Sequence, residues 1–312
     1  MFNRQTSYQD RKLFIALLLI ACASLLINAC SKRSENAAHQ PSTETREVTD
    51  EIGRRVRVPA RVERIVSLAP NLTEIVYAVG AGNRLVGDTE QCDYPAEAKQ
   101  VAKVGDTIKP SIERIVALHP QIILVSTASQ LEAFTKQLDE QRIAVFVTDP
   151  HDLEGILRSI QTLGDLFNEH ERAANVVKDL RARTSAVEEA VKDKKPIKVF
   201  FQISAEPLYT AGKDSFITDL IRRAGGQSVT ADVPGAWPRY SDETAMASQP
   251  DAVIIAEAEG NREIAAALKN SPAARNGRVY KINADYVSRP GPRLVEGLER
   301  IARALHPEAF GK

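Results

Sequence analysis

Apolar positions along residues 61–305 fall into short continuous runs, and between them lie stretches in which apolar residues return every three or four positions. The runs are Arg64-Ile65-Val66-Ser67-Leu68-Ala69, Gln121-Ile122-Ile123-Leu124-Val125, Ile143-Ala144-Val145-Phe146-Val147, Ile197-Lys198-Val199-Phe200-Phe201-Gln202, Val253 to Ala256, and Arg278-Val279-Tyr280-Lys281-Ile282. Runs of this length without alternation predict strands buried on both faces. Leu85-Val86-Gly87 predicts a further short strand. Helices are predicted from Pro70-Asn71 to about Val79, from Ser215 to Ala224 and from Arg293 to Leu305. Gly80 to Gly82 stop the first and Gly225-Gly226 the second. Glu47 to Val58 alternates loosely around Glu51-Ile52-Gly53, which predicts a small hairpin. Strand and helix in alternation place the chain in the α/β class, with mainly parallel sheets.

Two longer helical patterns, Leu153 to Phe167 and His170 to about Val191, divide these elements into two sets. Ala173, Val176, Val177, Leu180, Ser185 and Val187 make the apolar stripe of the second pattern. A helix of about 22 residues reaches roughly 33 Å, enough to cross from one lobe to the other as a single rigid rod. The predicted organisation is an N-terminal lobe over residues 47–152, connecting and backbone helices over 153–195, and a C-terminal lobe over 196–312. Each lobe is Rossmann-like with a central, mainly parallel sheet. A ligand cleft is expected between the lobes, where strand ends face each other.

The lobes share a phrase. Ser111-Ile112-Glu113 has Pro120 nine residues after its serine, and Ser241-Asp242-Glu243 has Pro250 nine residues after its serine. In each copy Ser is a good N-cap, Glu early in the helix complements its positive end, and Pro closes it before a strand. Capping chemistry alone accounts for the pattern. So does a pair of acidic knobs, Glu113 and Glu243, offered to a partner with two-fold symmetry. Glu74 is a weaker rival, since Asn71-Leu72-Thr73-Glu74 fits a capping box that needs no partner.

Ahead of the lobes, Arg4, Arg11 and Lys12 precede an apolar stretch from Leu13 to Ile27, the layout of a signal peptide over residues 1–29. The stretch ends Leu26-Ile27-Asn28-Ala29-Cys30, which resembles a lipoprotein signal with Cys30 as the acylated residue. Cutting at Cys22 instead leaves Leu25-Leu26-Ile27 in the mature tether; an uncleaved anchor is the other alternative. Residues 30–46 are polar and without apolar period, which predicts a flexible tether. The chain is then held to the membrane by lipid on the periplasmic side of the cell envelope.

The formal net charge is +0, and removal of the leader leaves the chain slightly acidic, so it carries no basic footprint for nucleic acid. Five histidines show no metal-ligand spacing. No nucleophile elbow, Gly-x-Gly-x-x-Gly or phosphate loop is present; Gly212-Lys213-Asp214-Ser215 lacks the glycine-rich start and has Asp where Ser or Thr is needed. An enzyme is not expected. Cys92 reads as a small buried residue rather than a soft metal ligand.

Cys92-Asp93-Tyr94-Pro95, Glu113 to Pro120, Thr210-Ala211-Gly212-Lys213-Asp214-Ser215, Gly225-Gly226 and Trp237-Pro238-Arg239-Tyr240-Ser241 together resemble the extracytoplasmic substrate-binding proteins of the helical-backbone class. The resemblance runs from Arg61 to Leu305 and is strongest to the cobalamin-binding members. It implies a monomer that carries no cofactor of its own and docks through Glu113 and Glu243 on the permease dimer of an ABC importer. It places Tyr94, Tyr209, Trp237, Tyr286 and Arg289 at the cleft, with Arg293 orienting its helix or facing solvent. Gln91, Thr107 and Ser126 stand where cobalamin-binding members carry aromatic residues. The expected ligand is cobalamin or another corrinoid; the thinner aromatic wall leaves haem or a ferric siderophore as the alternative.

Overall fold

The computed structural model describes residues 44–127, 138 and 143–311; the leader and Cys30 lie outside them. The described chain belongs to a compact unit that begins at Glu44. A two-stranded antiparallel hairpin, β1 (Thr45–Thr49) and β2 (Arg55–Pro59), opens it, turning where Glu51-Ile52-Gly53 is expected to turn. The first sheet is fully parallel, in the order β4 (Leu85–Gly87), β3 (Ile65–Ser67), β5 (Ile122–Ser126), β6 (Ala144–Thr148). The second has the parallel order β9 (Gly226–Ser228), β7 (Ile197–Ala205), β10 (Ala252–Glu257), β11 (Val279–Asn283). The two orders are the same when read by position in each lobe. The second lobe adds one strand, β8 (Leu208–Thr210), which returns antiparallel on β7. Neither β8 nor β9 is legible in the sequence: three residues carry no period, and β9 begins in the glycine pair that stops a helix.

Strand residues alternate between two cores because successive side chains leave a strand on opposite faces. In β5, Ile122 and Leu124 enter the large core while Ile123 and Val125 enter a smaller one on the other face. In β10, Ala252, Ile254 and Ala256 enter that same large core while Val253 and Ile255 enter a third. Burial on both sides is why these strands read as continuous apolar runs. Helix α2 (Ile112–Ala117) covers the small core of lobe one through Ile115, and α6 (Asp242–Ser248) covers that of lobe two through Ala245. Ser111 and Ser241 cap them, their Oγ atoms accepting from Arg114 N (3.3 Å) and Thr244 N (3.1 Å). Each chain path leaves its helix through a left-handed residue before proline, His119 (φ 46°) and Gln249 (φ 42°). The shared phrase is thus a shared piece of structure.

The large core passes through both lobes by way of α3 (Leu153–Leu166) and α4 (His170–Val191). Ala173, Val177, Leu180, Thr184, Val187 and Val191 are the buried stripe of α4; Val176 is half-buried and Ser185 is exposed. Thr184 takes the place on the stripe expected of Ser185, because steps of three and four residues hold the 3.6-residue period of the helix. At the α3–α4 turn, Arg84 donates to Phe167 O (2.7 Å) and pairs with Glu169 (2.6 Å). Near its other end, α4 is tied to lobe two by the Arg183–Glu299 fork (2.8 and 3.0 Å) and by Arg223–Glu188 (2.5 Å). No helix of the described residues is long and apolar enough to cross a membrane.

The loop after β4 closes over a buried charge. Lys103 Nζ binds Asp88 Oδ1 (2.7 Å), Cys92 O (3.0 Å) and Ala98 O (2.9 Å), gathering the loop around one ammonium. Burial pushes the Asp88 carboxyl up to about 6, against the opposing hydrogen bond and charge of Lys103. A folded-state value above the ordinary 3.8 means that the folded protein holds this proton more tightly. The stability this group contributes is full below about pH 4 and is lost as pH rises through about 6. Urea unfolding should show the wild type losing stability relative to Asp88→Asn across that window, with parallel behaviour above about pH 7.

Candidate functional site

Helix α1 (Pro70–Ala78) starts directly behind β3, with Ala69 as a backbone-only N-cap and Pro70 at the first helical position. Its first turn meets the loop that follows β11 in the other lobe. Asn71 Nδ2 donates to Pro290 O (3.3 Å), and a Cβ on Gly291 would stand 3.3 Å from Asn71 O. The carboxyl ends of strands from both sheets therefore face each other across this seam, as an open α/β architecture places its ligand sites.

Glu74 lies one turn further along α1 with its side chain 1% exposed. Arg293 grips it with a two-pronged fork, Nε to Oε2 (3.0 Å) and Nη2 to Oε1 (2.6 Å), and Arg289 Nη1 adds a contact at 3.3 Å. The expected capping box is not formed: with Pro70 already inside the helix, Glu74 is too far along to reach back to the cap. The expectation that Arg293 orients its helix or faces solvent is corrected as well. Its guanidinium is part of the join between lobes, lying 4.1 Å over the Tyr94 ring and 5.5 Å from the Tyr286 ring. Arg289 also binds Asp93 of lobe one (2.8 Å) and Asp285 of its own lobe (2.7 Å). Burial opposes the charge of both Arg289 and Asp93, but their mutual hydrogen bond and the neighbouring charges outweigh it. The Asp93 carboxyl is held below the usual carboxylate range and the guanidinium is raised.

A cavity of about 660 Å³ opens where both lobes meet α4, walled by Tyr77 and Tyr94 from lobe one, Val176 and Arg183 from α4, and Arg293 and Glu296 from lobe two. Of the eight residues assigned to the ligand from sequence, Tyr94 lines it, with 47% of its surface exposed. Tyr286 sits on the short helix α8 (Ala284–Val287), half-buried, its ring under Arg300 at 4.4 Å. Gln91 is exposed and accepts from Thr107 N (3.2 Å), so those two are brought together. Ser126 is buried at the end of β5 with no hydrogen-bond partner for its hydroxyl. Tyr209 is half-buried on β8, bridged to Arg239.

Trp237 is 38% exposed, and its ring meets Phe216 edge-on with centroids 5.5 Å apart. The loop that carries it is pinned to the Thr210–Ser215 segment. Gly212 N donates to Ala236 O (3.0 Å), Lys213 N to Val233 O (2.8 Å) and Thr210 N to Pro238 O (3.2 Å). Gly212 is required by this approach, because a Cβ there would stand 2.2 Å from Gly235 O. Phe216 opens α5 (Phe216–Arg223), so the motif both holds the tryptophan loop and supplies the ring it packs on.

Cys92 is buried and shares hydrogen bonds of 3.2 Å with Thr73 and Thr89; burial pushes its thiol up, so it is a packed residue, not a reactive one. No cluster of His, Cys, Asp and Glu able to hold a metal occurs among the described residues. Glu113 and Glu243 are both exposed and occupy the second position of α2 and α6, equivalent places in the two lobes. The groups that sequence reasoning missed are Glu74, Asp93, Asp285 and Arg293. Glu74, Asp93 and Arg293 find partners about 200 residues away, which no local pattern reports, whereas Asp285 pairs with Arg289 four residues on, a spacing the sequence could have signalled.

A two-lobed α/β body, joined by a long helix and gripped at an interlobe seam, defines a solute-binding protein. The family described as periplasmic binding protein matches residues 65–286, and the chain belongs to it. A relative in Bacillus subtilis, an uncharacterized ABC transporter substrate-binding lipoprotein, is 30% identical over 307 residues, 96% of each chain. Among solved structures, the periplasmic vitamin B12 binding protein of Vibrio cholerae superposes with a TM-score of 0.71 at 27% identity, covering 80% of this chain and 99% of its own. A periplasmic heme binding protein from Pseudomonas aeruginosa gives 0.70 at 27% identity, covering 79% and 93%. Membership of that family makes the protein a periplasmic solute-binding component of transport.

Two substitutions test the site's construction. Glu74→Ala strands Arg293 in the seam and should cost about 3–5 kcal/mol of unfolding free energy by denaturant titration, with Glu74→Gln costing less. Gly212→Ala should cost about 1–3 kcal/mol. It should also shift the emission of Trp237, the only tryptophan of the chain, to longer wavelength as its loop lifts from Phe216.

Proposed function

We propose that the protein captures a corrinoid, cobalamin or a close relative, and delivers it to its importer. The observation that carries this reading is the seam itself. Each lobe brings an aromatic ring to the facing strand ends, Tyr94 and Tyr286, lobe two adds guanidinium groups and lobe one carboxylates, so that a broad ring can be covered by apolar faces while its polar periphery is met by hydrogen-bonding groups. Similarity to a vitamin B12 binding protein over 99% of that protein's length supports the same ligand class. In this reading Tyr94, Trp237, Tyr286 and Tyr209 contact the solute, and Gln91, Thr107 and Ser126 line the first-lobe side. Arg289 faces its amide groups. No chemistry is performed on the ligand; release follows engagement of the importer.

Haem or a ferric siderophore is the second reading, favoured by the polar residues Gln91, Thr107 and Ser126 at the aromatic positions and by the likeness to a heme binding protein. Calorimetric titration of the purified chain with cyanocobalamin, cobinamide, haemin and a ferric siderophore separates the two. Corrinoid binding at micromolar or better with the others at least about tenfold weaker is the expected result. Binding confined to haemin or the siderophore would replace the corrinoid reading.

The docking proposal rests on Glu113 and Glu243, exposed and equivalently placed on capped helix starts. Cys30 is the proposed lipid attachment point. Charge reversal at one glutamate, Glu113→Arg or Glu243→Arg, should weaken association with the importer in lipid discs by roughly tenfold or more. The double variant should abolish it, with solute affinity unchanged. An importer affinity that ignores both substitutions would remove these residues from the interface.

A further inference from the structure

The two guanidinium groups of the seam already have carboxylate partners. Arg289 carries Asp93 and Glu74 on Nη1 and Asp285 on Nη2, while Arg293 is occupied by both oxygens of Glu74. Three carboxylates thus surround two guanidinium groups, leaving the cluster one negative charge in excess. Exposure is graded in the same sense. Asp93 and Asp285 have side chains 48% and 33% exposed, against 15% and 14% for Arg289 and Arg293. A solute arriving from water meets acceptor oxygens before it meets a donor. Lys213 and Arg239 do not offset this, since the hollows they line include none of these five residues.

We infer that the first-lobe carboxylates Asp93 and Glu74 act as a charge selector at the seam, admitting solutes whose rim ends in amides or cations and rejecting those whose rim ends in carboxylates. The inference rests on the solute-binding reading above and adds the charge of what is bound. An anionic rim would have to displace Asp93 from Arg289, exchanging one carboxylate for another at no gain. The displaced carboxylate would then repel it at short range. An uncharged amide rim meets no such repulsion: its N–H groups donate to Asp93 and Asp285, and Arg289 behind holds the Asp93 carboxyl below the usual carboxylate range. Asp93 and Glu74 are therefore specificity residues acting through Arg289, with Asp93 also in reach of the solute.

The test uses ligand pairs that differ in charge and share a ring. Cobinamide, with amide side chains, is compared with cobyrinic acid, with carboxylates on the same corrin; haemin is compared with its dimethyl ester. Each is titrated by calorimetry into the full chain in detergent, as wild type, Asp93→Asn and Asp93→Glu. Wild type is expected to prefer the uncharged member of a pair by about tenfold or more. Asp93→Asn should reduce that preference to about threefold or less by strengthening the anionic member, and Asp93→Glu should restore it. A merely structural role would lower both members together. Equal affinities in the wild type, or a preference unaltered by Asp93→Asn, overturns the selector. If neither corrinoid binds, the corrinoid reading fails and the selector is judged on the haem pair by the same criterion. Binding of none of the four overturns both.

Discussion

A carboxylate with almost no access to water, held by two arginines from the opposite lobe, joins the two halves of this molecule at their strand ends. Removing a carboxylate from water is costly, and the cost is recovered only if geometry is good and both oxygens find hydrogen bonds. Glu74 meets both conditions through the fork of Arg293 and the added contact of Arg289. The Tyr94 ring over the same guanidinium adds a second contact from lobe one. Such a join is directional in a way that apolar packing is not. It fixes which residues of one lobe oppose which of the other, and so defines the walls that a solute meets.

Around that join the fold is a repeated unit with one addition. The same strand order occurs in both lobes, with the same capped helix and the same left-handed exit before proline. The repeat explains why two glutamates 130 residues apart in sequence occupy equivalent positions. It also isolates what is particular to lobe two, the β8 return and the tryptophan loop that bonds to the segment following it. Apolar burial supplies stability throughout, while the polar clusters at Glu74, Lys103 and Arg84 set the geometry of loops and turns.

Much of the framework was legible because doubly buried strands announce themselves as runs and capped helices as Ser-x-Glu followed by Pro. The interlobe cluster was not. Asn71-Leu72-Thr73-Glu74 satisfies a local capping rule that Pro70 overrides, and the partner of Glu74 lies 219 residues on. Asp285 stands four residues before Arg289 in the sequence, but Asp93 and Glu74 meet that arginine only in three dimensions. Ser185 was drawn onto the α4 stripe by its spacing, yet Thr184 fills that place, returning its hydroxyl to Leu180 O at 2.9 Å. Local patterns report local chemistry, and the functional seam is made of contacts between distant segments.

The large apolar core does not stop at the boundary between lobes. It includes Leu124 and Phe146 from the first sheet, Ile160 and Leu180 from the connecting helices, and Phe201 and Ile254 from the second sheet. Neither half, severed at α3, would keep a covered surface, because each would expose the side chains that the crossing helices now shield. Loss of either half therefore uncovers apolar side chains of the other, and this shared cover couples the unfolding of the two.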